Sequence, residues 1–139
     1  MIKAVIFALG NTLIEYPKPE ELRTNYLATA GHMRGSLKPA LLDRMQEVLS
    51  NERKFGLETH DEATVKNALA IAVKEQGLYA DEKEIQRMIS DIYYYGFGKF
   101  TSPVRGALKL LQFLKNRRLK LGIVSNTPFP GSLFKMEME

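Results

Sequence analysis

Ile2-Lys3-Ala4-Val5-Ile6-Phe7-Ala8-Leu9-Gly10-Asn11-Thr12-Leu13 is the stretch around which the rest of the chain is organised. Ala4 to Leu9 is an unbroken apolar run, rich in β-branched and aromatic types and stopped by Gly10-Asn11, which is how a parallel strand buried on both faces reads. In open α/β sheets ligands bind beyond the carboxyl ends of the strands, so functional groups are expected between Ala8 and Leu13. Gly10 and Asn11 both tolerate unusual backbone angles and allow a sharp turn that points amide N–H groups into a crevice.

A second strand-end follows much later, at Leu121-Gly122-Ile123-Val124-Ser125-Asn126-Thr127, with a helical stretch in between. With these two motifs in this order, the sequence resembles the haloacid dehalogenase-like hydrolase superfamily, in the branch with a helical cap inserted after the first strand. The resemblance implies an α/β fold: a partial Rossmann-like parallel sheet core, residues 1-14 and 100-139, interrupted by a four-helix cap, residues 15-99. It covers segments 1 to 14 and 100 to 128 closely. The cap resembles the family in being helical and in its place.

The departure from the family pattern matters as much. Members carry a nucleophilic, magnesium-binding aspartate at the position held here by Ala8, and phosphatases often carry an acid/base aspartate two residues on, where this chain has Gly10. A lysine and an acidic pair that complete the family's site would lie beyond residue 139. The resemblance implies that Thr12, Ser125 and Asn126, with the amides of Leu9 and Gly10, are donors for a phosphoryl oxygen, a role that strand-end geometry allows. Read without the family, Ser125 and Asn126 are common turn residues.

Removal of a covalent nucleophile costs on the order of 10⁶ in turnover, equivalent to about 8 kcal/mol of transition-state stabilisation. Ala8 has no group that can attack, and its methyl cannot hold a metal. The expectation is a hydrolase of phosphate-monoester phosphatase ancestry, inactive as written, with a small phosphorylated metabolite as partner. Magnesium is the parent family's cofactor, and this chain is expected to bind none. The dehalogenase branch is a less favoured ancestor that Gly10 would suit. The alternative is a non-catalytic phosphate-binding or protein-interaction module.

Composition narrows the partners. The 139 residues, 45% hydrophobic, suit a soluble globular protein. The absence of cysteine excludes disulfides and thiolate metal sites and suits a reducing cytoplasm, the expected location. No apolar run approaches the roughly 20 residues that span a bilayer, and Met1 opens on a strand rather than a secretory signal. Neither membrane nor nucleic acid is expected as a partner, despite a net charge of +4 and a pI near 9.3. The densest basic stretch, Lys115, Arg117, Arg118 and Lys120, reads as the solvated end of a helix, where cations suit the dipole. That helix is expected over Val104 to Leu119, with Val104, Ala107, Leu108, Leu111 and Leu114 inward and Ser102-Pro103 as its cap and first turn.

Between the motifs, Ile14 to Pro19 reads as a stiff hinge with two prolines. A first helix is expected from Pro19 to Met33 and a second from Ser36 and Pro39 to about Phe55. Thr59 with Glu62 has the spacing of a capping box for a third helix, with Val65, Ala68, Leu69, Ala72 and Val73 inward and Gly77 as its stop. Asp81 with Glu84 repeats the device for a fourth, burying Ile85, Met88, Ile89 and Ile92. The aromatics from Tyr93 to Phe100 read as packing groups at the junction of cap and core. Asp61, Glu62, Asp81 and Glu82 are explained as helix-start charges, and His32 and His60 as surface or loop residues. Two strands leave open edges and an apolar face, so the incomplete core is expected to be covered either by another copy of the chain, as a homo-oligomer, or by parts of the protein outside these residues.

Overall fold

A computed structural model describes residues 2–30, 37–59 and 63–138. In chain order the elements are β1 (Ala4–Ala8), β2 (Ile14–Glu15), α1 (Leu22–Ala30), α2 (Pro39–Thr59), α3 (Val65–Glu75), α4 (Glu82–Asp91), β3 (Ser102–Pro103), α5 (Ala107–Asn116), β4 (Lys120–Val124) and α6 (Gly131–Met138). A 3₁₀ turn over Pro19–Glu21 leads into α1, and a π-helical turn over Ile92–Phe97 and a 3₁₀ turn over Gly98–Phe100 follow α4. The fold is α/β. The chain divides into two units, Met1–Lys18 with Phe100–Asn126, and Pro19–Lys99 with Thr127–Glu139.

In the first unit β1 and β4 pair in parallel, from Ala4 opposite Lys120 to Ala8 opposite Val124. Both strands run as the apolar patterns predict. Partners across a parallel ladder share a face, so Ile6, Ala8 and Val124 lie on one side and Val5, Phe7, Leu121 and Ile123 on the other. Val5 and Phe7 are half-buried, whereas Ile6 is 68% and Val124 67% exposed. The expected burial on both faces is therefore corrected. A strand's apolar run states what it could bury, and two strands with one helix cannot cover both sides.

The helix before β4 is also shorter than expected. Ser102 and Pro103 do not begin it; they pair antiparallel with Glu15 and Ile14, and the Val104 amide donates to the Leu13 carbonyl at 2.9 Å. Helix α5 starts after Gly106, whose φ of 88° is a left-handed conformation that glycine adopts without strain. Of its expected inward residues Ala107 is buried, Val104, Leu111 and Leu114 are half-buried, and Leu108 is 66% exposed. Arg117 folds back over the Phe113 ring, 4.5 Å from its centre.

The second unit holds the larger core. Leu41, Leu42, Met45, Leu69 and Ile89 are fully buried where α2 packs on α3 and α3 on α4, and Tyr26 of α1 is fully buried as well. The five residues expected inward on α3 are all buried. Its cap is a correction: Thr64, not Thr59, occupies the N-cap and accepts from the Asn67 amide, because α2 continues to Thr59. Glu62 lies outside the described residues. Gly77, at φ 66°, ends α3, its amide donating to Lys74 and that of Leu78 to Val73, the paired bonds of a Schellman stop. The Asp81–Glu84 capping box forms with both its bonds.

After α4 the helix widens through Ile92–Phe97. Widening leaves carbonyls to be satisfied from elsewhere. Helix α1 supplies the donors: the Thr29 hydroxyl reaches the Tyr95 carbonyl at 2.7 Å and the Asn25 amide reaches that of Gly96 at 3.4 Å. A Cβ on Gly96 would stand 3.1 Å from the Leu22 carbonyl, so α1 comes close because residue 96 has no side chain. Tyr93 then packs edge-on against Phe129 and Phe134 at 5.1 Å each. These contacts tie the segment after Asn126, read from the sequence with the core, into the second unit.

Candidate functional site

The candidate site lies wholly within the first unit. Because Ala8 stands opposite Val124, the chain leaves β1 at Leu9-Gly10 and β4 at Ser125-Asn126 from the same edge of the sheet. Strand spacing in a sheet is about 4.8 Å, so the two strand-end motifs begin side by side although 116 positions separate Ala8 from Val124. Thr12, Ser125 and Asn126 are exposed.

Their backbone is held by a tight turn. The amides of Thr12, Leu13 and Ile14 all converge on the Leu9 carbonyl at 3.3, 2.9 and 3.1 Å, and the Asn11 amide donates to Ile14 at 2.7 Å. Asn11 takes the left-handed conformation at φ 54°, which asparagine tolerates better than most residues. Leu9 and Leu13 are buried beneath the turn. The Thr12 amide is thus spent inward and the parallel register turns the Leu9 amide toward the Val124 carbonyl, so of the expected donors of this loop the Thr12 hydroxyl and the Gly10 amide are the ones left to face an anion.

One contributor was not legible in the sequence. The Tyr16 ring lies against Gly10, where a Cβ would stand 2.7 Å from Cε2 and 3.1 Å from Cδ2. The only signal was a tyrosine before Pro17, which fixes an extended backbone and not a contact.

The first unit as a whole is basic. The first unit contains eight lysines and arginines and a single carboxylate, Glu15 on β2. Arg117, Arg118 and Lys120 belong to the opposite end of the sheet: Lys120 opens β4, and five strand steps to Ser125 span about 16 Å. Magnesium prefers an octahedral shell of oxygens that includes carboxylates. The loop offers it alanine, glycine and neutral hydroxyl and amide groups, so these residues do not fit the metal. Among the described residues no group of three histidines or acids is placed to hold one. His32, His60, Asp61 and Glu62 fall outside the described residues; Asp81 caps α4, and Glu82 pairs with Lys66 at 2.7 Å. No helix among the described residues is long and apolar enough to cross a membrane.

No protein-family model matches the chain, and no curated protein does. Among solved structures it is similar to L-2-haloacid dehalogenase from Xanthobacter autotrophicus, free and with chloropropionic acid covalently bound, at 20% and 21% identity and TM-scores of 0.44 and 0.45. Each match covers 97% of this chain and 50% of the dehalogenase. A predicted phosphoglycolate phosphatase from Haemophilus somnus is similar at 16% identity and a TM-score of 0.43, over 94% of this chain and 53% of that one. The chain thus spans about half the length of the solved structures it matches.

Proposed function

We propose that the first unit is the amino-terminal part of a haloacid dehalogenase-like hydrolase site, of phosphate-monoester phosphatase ancestry, and that it binds the phosphoryl group of a small metabolite without turning it over. The observation that supports this reading is the β1–β4 register, which puts the strand ends Ala8 and Val124 side by side, so that the loops carrying Leu9, Gly10 and Thr12 and carrying Ser125 and Asn126 leave the same edge of the sheet. These groups are neutral donors, suited to oxyanions. Residues 15-99 stand as the helical cap in this reading, and the cytoplasm as its location.

Chemistry separates binding from catalysis. In the resembled family phosphoryl transfer runs through a covalent intermediate on a carboxylate at the strand end, and Ala8 supplies a methyl group there. Glu15, the unit's single carboxylate, is engaged in the β2–β3 ribbon by its backbone and begins no strand-end loop. The alanine in place of the strand-end carboxylate favours the second reading too, a non-catalytic phosphate-binding or interaction module. Isothermal calorimetry with inorganic phosphate and a panel of phosphorylated metabolites tests the binding. Saturable heat abolished by Ser125→Ala with Asn126→Ala supports it, and no heat across the panel removes it. Ala8→Asp, assayed with a generic phosphate ester in a chain extended through the family's remaining motifs, tests the ancestry: turnover gained supports the phosphatase reading, and none leaves the binding module.

A further inference from the structure

Besides the hydrogen bonds that close it, the candidate loop is bounded by the Tyr16 ring lying against Gly10. A side chain at position 10 would begin 2.7 Å from a ring carbon, closer than non-bonded atoms approach. The neighbour in the way is a rigid ring and not the free end of a flexible chain. Its position is fixed from both sides along the sequence: Ile14 and Glu15 are paired with Pro103 and Ser102, and Pro17 restricts Tyr16 to an extended backbone. The backbone that carries the ring is thereby held, and its hydroxyl is sunk out of solvent.

We propose that Tyr16 walls the strand-end loop: its ring occupies the space a side chain at position 10 would need, so the Leu9–Ile14 turn keeps the shape that receives an anion only while residue 10 is glycine. This rests on the phosphate-binding reading for its functional part. The ring acts as a wall supplied from six residues along the chain, so a glycine at position 10 is required by contact and not by its backbone angle, since Gly10 is not among the positive-φ glycines. A consequence follows for chemistry. The position from which phosphatases of the resembled family often work with a second carboxylate is closed here, because an aspartate at 10 would have to displace the ring.

The test is a set of four chains, wild type, Gly10→Ala, Gly10→Ala with Tyr16→Ala, and Gly10→Ala with Tyr16→Phe, each titrated with inorganic phosphate and followed by backbone amide NMR shifts and thermal unfolding. Gly10→Ala is expected to weaken phosphate binding at least tenfold and to shift the amides of Leu9 to Ile14. Removing the ring with Tyr16→Ala is expected to recover most of that affinity and the wild-type shifts, while Tyr16→Phe, which keeps the ring, recovers neither. Wild-type behaviour of Gly10→Ala, or equal recovery with alanine and phenylalanine, would overturn the proposal. If the wild type binds no phosphate, the functional reading falls by itself. The ring's hold on the turn is then decided by the same pattern in the shifts and midpoints, where simple additivity of the two substitutions overturns it.

Discussion

Ala8 and Val124 face one another as the last register pair of two parallel strands, and that pairing sets the two strand-end loops next to each other. Everything the first unit offers a ligand follows from that edge. Hydrogen bonds to a charged group contribute about 1.5–3 kcal/mol each, so Asn126→Ala, or Ser125→Ala, should weaken phosphate binding roughly tenfold to a hundredfold. Calorimetry checks this, and equal affinity in both variants would detach β4 from the site.

The two units should respond differently to truncation of leucine. Leu69 is fully buried and Leu108 is mostly exposed. Leu69→Ala is expected to cost about 2–5 kcal/mol, with a cavity term added to lost transfer energy. Leu108→Ala should fall within about 0.5 kcal/mol of wild type. Urea unfolding of both variants measures the contrast.

Helix α3 tests its cap assignment directly. Thr64→Ala removes the oxygen that accepts from the Asn67 amide and should cost about 1 kcal/mol. Thr59→Ala, inside α2, removes no N-cap. A larger loss from Thr59 than from Thr64 would return the cap to the sequence expectation.

Acid should act through opposed carboxylates. The Arg44 guanidinium, bonded to both Glu75 oxygens at 2.6 and 3.0 Å, holds the Glu75 carboxyl below its usual range. Its stabilising contribution is therefore present above the unfolded pKa and is lost as pH falls through the lower folded value. Asp91 runs the other way: burial raises its pKa, with Arg87 partly opposing. Its neutral form is favoured by folding below the unfolded pKa, and that advantage is lost as pH rises through the folded value. Asp91→Asn should therefore raise the thermal midpoint at pH 7 and lose that advantage at pH values below the usual aspartate range. Glu75 is exposed and Asp91 half-buried, so solvent screening keeps both effects small. Thermal midpoints of Asp91→Asn and Glu75→Gln against pH give both signs.

Much of the architecture was legible in the sequence because its signals are local. The Ala4–Leu9 run and the Leu121–Val124 run give strands, and the apolar spacing of Val65 to Val73 gives a helix face. What failed depends on partners distant in the chain. Ser102-Pro103 reads as a helix start, yet Ile14 and Glu15 recruit it into a two-residue ribbon too short to show any period. Ile6 reads as buried, but burial requires a covering layer that the run itself does not specify. For the site, Ser125 and Asn126 were legible as residues at a strand end. Tyr16 was not, since its contact with Gly10 exists only once the turn has closed.

The most direct measurement of the central claim is a titration of the chain with inorganic phosphate, read at individual backbone amides. Saturable shifts at Leu9, Gly10, Thr12, Ser125 and Asn126 are expected together, with one affinity. Shifts confined to Lys115 through Lys120, at the other end of the sheet, or none in either loop, would contradict a phosphate site built from the two strand ends.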